Sequence, residues 1–171
     1  YNGRSINGGQ KLPAQRWQEP LTYYHRNGPL GAFFNAFNRE HPTAQVAVIG
    51  LGTGSMITYA TEAQAWTFFE LDPAVIQIAT NPRWFTYLKN IRTTTRIYTG
   101  DARLSLANTS DHQFGLIVID AFSSNSIPVH LITEEAIKLY LAKLINASPG
   151  ARSNGVLLFH ISNPYLDLSR V

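Results

Sequence analysis

Residues 45–54 read QVAVIGLGTG. The run from Gln45 to Leu51 is apolar without alternation, as expected of a strand covered on both faces in a parallel sheet. The three glycines after it permit a tight turn and let bare backbone approach a ligand at the start of the next segment. Outward from this stretch the same grammar repeats. WTFFEL (66–71), RIYT (96–99), FGLIVID (114–120) and GVLLFHI (155–161) read as four further strands. Between them, residues 55–60 can start a helix, Pro73 opens another where its missing N–H costs nothing, and Thr133 caps a third ahead of Glu134 and Glu135. On that third helix Ile137, Tyr140, Leu141, Leu144 and Ile145 predict a one-sided apolar face. Five strands separated by helical segments imply an α/β fold: a doubly wound, mainly parallel, Rossmann-like sheet.

Composition bounds the rest. The 171 residues suit one ordinary domain, and 44% hydrophobic against 15% charged residues argues against intrinsic disorder. Fourteen Lys plus Arg against 11 Asp plus Glu give a scattered +3, so no nucleic-acid partner is expected. The absence of cysteine excludes disulfides, thiolate metal sites and cysteine nucleophiles. No apolar run approaches ~18 residues, so no membrane segment is expected in this chain and a cytoplasmic location is the default. The chain opens on Tyr1 and closes at Val171 within a segment that reads as structured, so it is expected to be a fragment cut after the fifth strand. Residues 1–40 differ in character from 41–171: Asn-Gly pairs at 2–3 and 7–8 mark hairpin turns in a short β-rich segment, and a Gly28-Pro29 break precedes a short helix over 30–37.

In open α/β sheets, ligands bind beyond the carboxyl ends of the strands. Here those ends carry Gly50, Gly52, Thr53 and Gly54, then Glu70 and Asp72, then Asp101, then Asp120, with His160 and Ser162 near the fifth. Glu70 stands twenty residues beyond Gly50, the interval at which an acid meets a ribose diol in nucleotide-binding βαβ units. Ser55 occupies the place of the third glycine of the dinucleotide fingerprint, which argues against NAD. Asp72 reads as a helix cap and Asp101 as either a cap or a ligand contact. Asp120 closes an apolar run, where an unpaired carboxylate would be costly. His130 and His160 receive no role. No metal-ligand spacing and no G-x-S-x-G elbow occur, so neither metal nor serine-hydrolase chemistry is expected.

The motifs VIGLGTG (48–54), FFELDPAVIQIA (68–79), TGDARLSL (99–106) and IDAFSSNSIPVHLITEEAIKLY (119–140) give the chain its resemblance to the spermidine synthase-like group of class I S-adenosylmethionine-type transferases. YYHRNGPLG (23–31) resembles the entrance segment of bacterial members, some of which are fused to membrane-embedded segments. The resemblance implies S-adenosylmethionine or its decarboxylated form as donor, no metal, and a small-molecule acceptor of which an amine is one class. It admits a homo-oligomer. It implies Glu70 on the ribose hydroxyls, Asp101 on the adenine amino group and Asp120 as the group that deprotonates or orients an attacking amine. Gln10 matches loosely a glutamine near the donor, and Tyr24, His25 and Ser123 fall near the acceptor. Two positions depart from the aminopropyltransferase pattern: Thr53 replaces the acid of G-G-G-D-G, and Ser123 the second acid of D-S-S-D. Three functions are therefore carried forward: aminopropyl transfer, methyl transfer to an unknown acceptor, and adenosyl-ligand binding without catalysis.

Overall fold

The computed structural model describes residues 9–11, 16–89, 91–122, 127–146 and 154–161. Five strands, β1 (Gln45–Ile49), β2 (Ala65–Glu70), β3 (Thr94–Thr99), β4 (Leu116–Ile119) and β5 (Val156–Phe159), form one sheet in the order β3-β2-β1-β4-β5. Every pairing is parallel. Helices α1 (Pro29–Glu40), α2 (Pro73–Thr80), α3 (Ala102–Ala107) and α4 (Glu134–Lys143) complete the unit.

The central strands are mainly apolar because both their faces are covered. Val46 and Val48 of β1, Trp66 and Phe68 of β2, and Leu116 and Val118 of β4 pack with Phe34 and Phe37 of α1 and Ala79 of α2. The alternate residues Ala47, Ile49, Phe69, Ile117 and Ile119 point to the other face, against Leu106 of α3 and Ala136 and Tyr140 of α4. The sequence order runs outward from β1 to β3 and then returns to β4 on the other side, so the switch point lies between β1 and β4. This is the expected doubly wound sheet.

Several local features differ from expectation. Residues 55–59 form a 3₁₀ stretch rather than an α-helix. Its Gly54 cap is left-handed and offers no side-chain acceptor, and the Thr58 hydroxyl ties back to the Ser55 carbonyl at 2.8 Å. The first helix is longer than predicted, from Pro29 to Glu40. Helix α3 is an element that the sequence reading did not separate, since six residues are too few to show a period. On α4, Leu141 is exposed and the buried side chains are Ala136, Tyr140 and Lys143. Lys143 is accommodated because its ammonium donates to the Ala107 and Thr109 carbonyls and to Asp111. The candidate hairpin turns at 2–3 and 7–8 lie outside the described residues. Among the described residues, no helix is long and apolar enough to cross a membrane.

Candidate functional site

A cleft of about 500 Å³ opens over the carboxyl ends of β1, β2, β3 and β4. Its floor at β1 is the glycine turn. Gly50 adopts φ +99°, and a Cβ there would lie 2.5 Å from the Asp120 carbonyl oxygen, so β1 and β4 close together only around glycine. Gly52, at φ +53°, has nothing within 4 Å of where a Cβ would stand, and it presents bare backbone to the cleft.

Glu70 ends β2 and lines the cleft. Its Oε2 accepts the Leu51 amide hydrogen at 2.9 Å and its Oε1 the Asp72 amide hydrogen at 3.0 Å. The carboxylate is thus fixed by backbone on both sides, with lone pairs left over on each oxygen. Asp101 follows β3, where its Oδ1 caps α3 by accepting from Leu104 at 3.0 Å. Its other oxygen lies 3.9 Å from His130 Nε2 across the rim. Cap and cleft residue are therefore one and the same. Asp72 caps α2 through the Ala74 amide at 2.8 Å, as expected, and also lines the cleft.

Asp120 follows β4 and is held differently. Its side chain is only 5% exposed. Tyr24 Oη donates to Oδ2 at 2.6 Å, and His160 Nδ1 stands 2.5 Å from Oδ1. Tyr24 is itself set by a 3₁₀ turn over Thr22–Tyr24 and by the Tyr59 hydroxyl, which donates to the Tyr24 carbonyl. Burial raises the Asp120 carboxyl above the ordinary aspartate value, offset in part by the bonds to His160 and Tyr24. Burial and the adjacent Asp120 push the Tyr24 hydroxyl well above the usual tyrosine range, so it stays a donor.

The cleft brings together Gly50, Gly52, Glu70, Asp101, Asp120 and Tyr24. Four other predicted residues do not line it. Gln10 is bound to Thr86, through both its backbone amide and its hydroxyl, and to the Trp17 carbonyl. His25 accepts from the Asn27 amide and lies 3.7 Å from Glu19. Gly54 turns toward Leu88. Thr53 is adjacent, and its buried Oγ1 has no hydrogen-bond partner among the described residues. Ser123 lies outside the described residues. Sequence reasoning gave no role to His160, Tyr23, Phe122 or His130. The available signal for His160 was its place at the end of the fifth strand, where β2, β3 and β4 each end at or just before an acid.

No protein-family model matches the chain. The chain is 35% identical over 137 residues to a polyamine aminopropyltransferase of Vibrio vulnificus, an alignment covering 74% of this chain and 43% of that protein. It thus spans less than half the length of that relative. Among solved structures, a probable spermidine synthase from Corynebacterium glutamicum superposes with a TM-score of 0.63 at 20% identity, over 77% of this chain and 47% of that one. A spermidine synthase in complex with the transition-state analogue AdoDATO superposes with a TM-score of 0.51 at 20% identity, over 66% of this chain and 42% of that one. The fold is that of the Rossmann-like class I S-adenosylmethionine-type transferases. Within that class, the chain belongs to the spermidine synthase-like group. Among the described residues, no cluster of three His, Cys, Asp or Glu could hold a metal ion.

Proposed function

We propose that this chain is the catalytic part of a transferase that moves an aminopropyl group from decarboxylated S-adenosylmethionine to an amine. The observation that supports this most is the charge of the cleft. Among the described residues, Glu70, Asp72, Asp101 and Asp120 line it and no lysine or arginine does, in a protein whose net charge is +3. A carboxylate-lined hollow with low-dielectric walls concentrates cations, and a sulfonium donor and an alkylammonium acceptor are both cations.

The residues present fit the donor. Gly52 and Gly100 both have positive φ, both line the cleft, and neither has a heavy atom within 4 Å of its Cβ position. Backbone at the ends of β1 and β3 can therefore lie against a nucleoside. Glu70, with lone pairs to spare, is suited to accept from two ribose hydroxyls, and Asp101 has one oxygen not used in capping. The bound donor would supply a carbon made electrophilic by the neighbouring sulfonium. The chain's own work is to hold an amine in line with that carbon and to take its proton on Asp120. A carboxyl with a raised pKa is a stronger base than an exposed aspartate, and this narrows the gap to the working pH.

Methyl transfer from intact S-adenosylmethionine is a second reading, favoured by Thr53. The glycine turn there carries no charge to repel the donor's carboxylate.

Calorimetric titration with S-adenosylmethionine, its decarboxylated form and methylthioadenosine tests donor binding, and product analysis with an amine panel tests transfer. Methylthioadenosine as product supports the proposal. S-adenosylhomocysteine as product replaces it with methyl transfer, and absence of nucleoside affinity overturns both.

A further inference from the structure

The β4–β5 register pairs Ile119 with Phe159, so the next residues, Asp120 and His160, stand side by side at the strand ends. The His160 amide donates to the Ile119 carbonyl at 3.0 Å, and the Asp120 amide to the Ile49 carbonyl at 2.8 Å. Backbone thus fixes both residues before their side chains meet. The imidazole is only 16% exposed. It sits against Tyr23 at a centroid distance of 4.4 Å and against the edge of Phe122 at 5.2 Å. Tyr23 and Phe122 line the cleft; the imidazole stands behind them and does not.

Asp120 is a carboxyl almost wholly removed from water, which by itself favours the protonated form. Among the described residues, each oxygen has one partner: the Tyr24 hydroxyl, which is neutral, and the His160 ring. Among the described residues no lysine or arginine pairs with Asp120, so His160 is the group that can bring positive charge to it. To donate to a carboxylate, Nδ1 must carry the hydrogen, which fixes the tautomer of the neutral ring.

We infer that His160 is a positioning residue that holds Asp120 oriented and anionic at the floor of the cleft, ready to accept a proton from the acceptor. The inference rests on the reading of Asp120 as that acceptor. Tyr23 and Phe122 keep the imidazole in place, and among the described residues the titratable groups facing Asp120 are Tyr24 and His160.

The test is the titration of the Asp120 carboxyl by ¹³C NMR, its resonance assigned by disappearance in Asp120→Asn. His160→Phe retains a ring between Tyr23 and Phe122 and removes the hydrogen bond; His160→Leu substitutes for it should that variant not fold. The Asp120 midpoint is expected to rise by about 1–2 pH units, the equivalent of one lost charge-assisted bond. His160→Gln, which keeps a donor, should rise by less than half as much. In turnover, the acid limb of the pH profile should move by the same amount while KM for the donor holds. A midpoint within about 0.3 unit of wild type in the folded apolar variant overturns the inference. Nucleoside titration of the wild-type chain is the separate control: its failure removes the proposed function and leaves the carboxyl titration readable.

Discussion

Glu70 and Asp101, at the β2–β3 end of the cleft, are held by amide hydrogens 2, 3 and 19 residues away. Asp120, at the β4 end, is held by side chains 96 and 40 residues away. The first two are locally fixed and partly open to solvent; the third is buried and depends on tertiary contacts. This contrast fits the division of labour in the proposed function. A nucleoside site needs rigid acceptors that stay charged and accessible. A proton acceptor needs a sheltered carboxyl whose protonation its neighbours can set.

The largest effect should come from breaking the chemistry at one end only. Asp120→Asn keeps the shape and removes the proposed base. Turnover should fall by about 10²–10⁴-fold, the usual contribution of a positioned general base, while nucleoside affinity changes by less than about twofold. Product assay and calorimetry on the same preparation check this. If affinity falls along with turnover, the two ends are not separable.

Gly50 is the joint between the two ends. Alanine there must adopt φ +99° with its Cβ 2.5 Å from the Asp120 carbonyl oxygen. Left-handed strain of about 1–2 kcal/mol adds to an overpacking penalty of about 1–3 kcal/mol. Gly50→Ala should therefore lose about 3 kcal/mol in urea unfolding, with both nucleoside affinity and the Asp120 titration disturbed. Gly52→Ala, with open space around it, should lose only the backbone part. Equal losses in the two variants would mean that the β1–β4 approach is not what requires Gly50.

Glu70→Gln tests the proposed nucleoside end. It removes the charge and keeps one acceptor oxygen. Loss of about 1.5–3 kcal/mol of charge-assisted bonding corresponds to roughly 10–100-fold weaker nucleoside binding. The Asp120 titration should not move. Calorimetry reads the first and NMR the second.

The two ends also differed in how far the sequence revealed them. The strands, the glycine turn, Glu70, Asp72 and Asp101 could be read because each is marked in the local sequence: an apolar run, glycines at a turn, an acid at the last residue of a strand or two residues past it. Asp120 could be suspected from its apolar approach, but its partners could not be named. Tyr24 reaches it only because β4 and the Thr22–Tyr24 turn share a cleft, and His160 only because β5 adds beside β4 in a particular register. Gln10 shows the converse. The resemblance placed it near the donor, yet the loop carrying Thr86 supplies its partners. Leu141 fails for a similar reason: a helical period places it on the apolar face, but α4 buries Ala136 beside the expected Tyr140 and leaves Leu141 exposed.

The smallest effect expected is on stability against pH, and its sign follows from burial. In the folded chain Asp120 titrates above its unfolded value. Between the two values the native state binds more protons than the unfolded state, so stability falls as pH rises through that window and then levels off. Glu19, Asp111 and Glu135 act the other way. Their carboxyls are lowered, Glu19 to about 2, by Arg16 and Lys11 in its case. Their contribution is present above the ordinary carboxylate values and is lost as pH falls. The wild-type profile therefore mixes both signs, and the diagnostic quantity is the difference between wild type and Asp120→Asn, in which the three surface terms cancel. That difference should favour wild type at the acid end and shrink or reverse as pH rises from the ordinary aspartate value upward. Urea midpoints at several pH values would read it. A flat difference would mean that Asp120 titrates alike in the folded and unfolded chain, which would end the contrast between a sheltered carboxyl at β4 and open ones at β2 and β3.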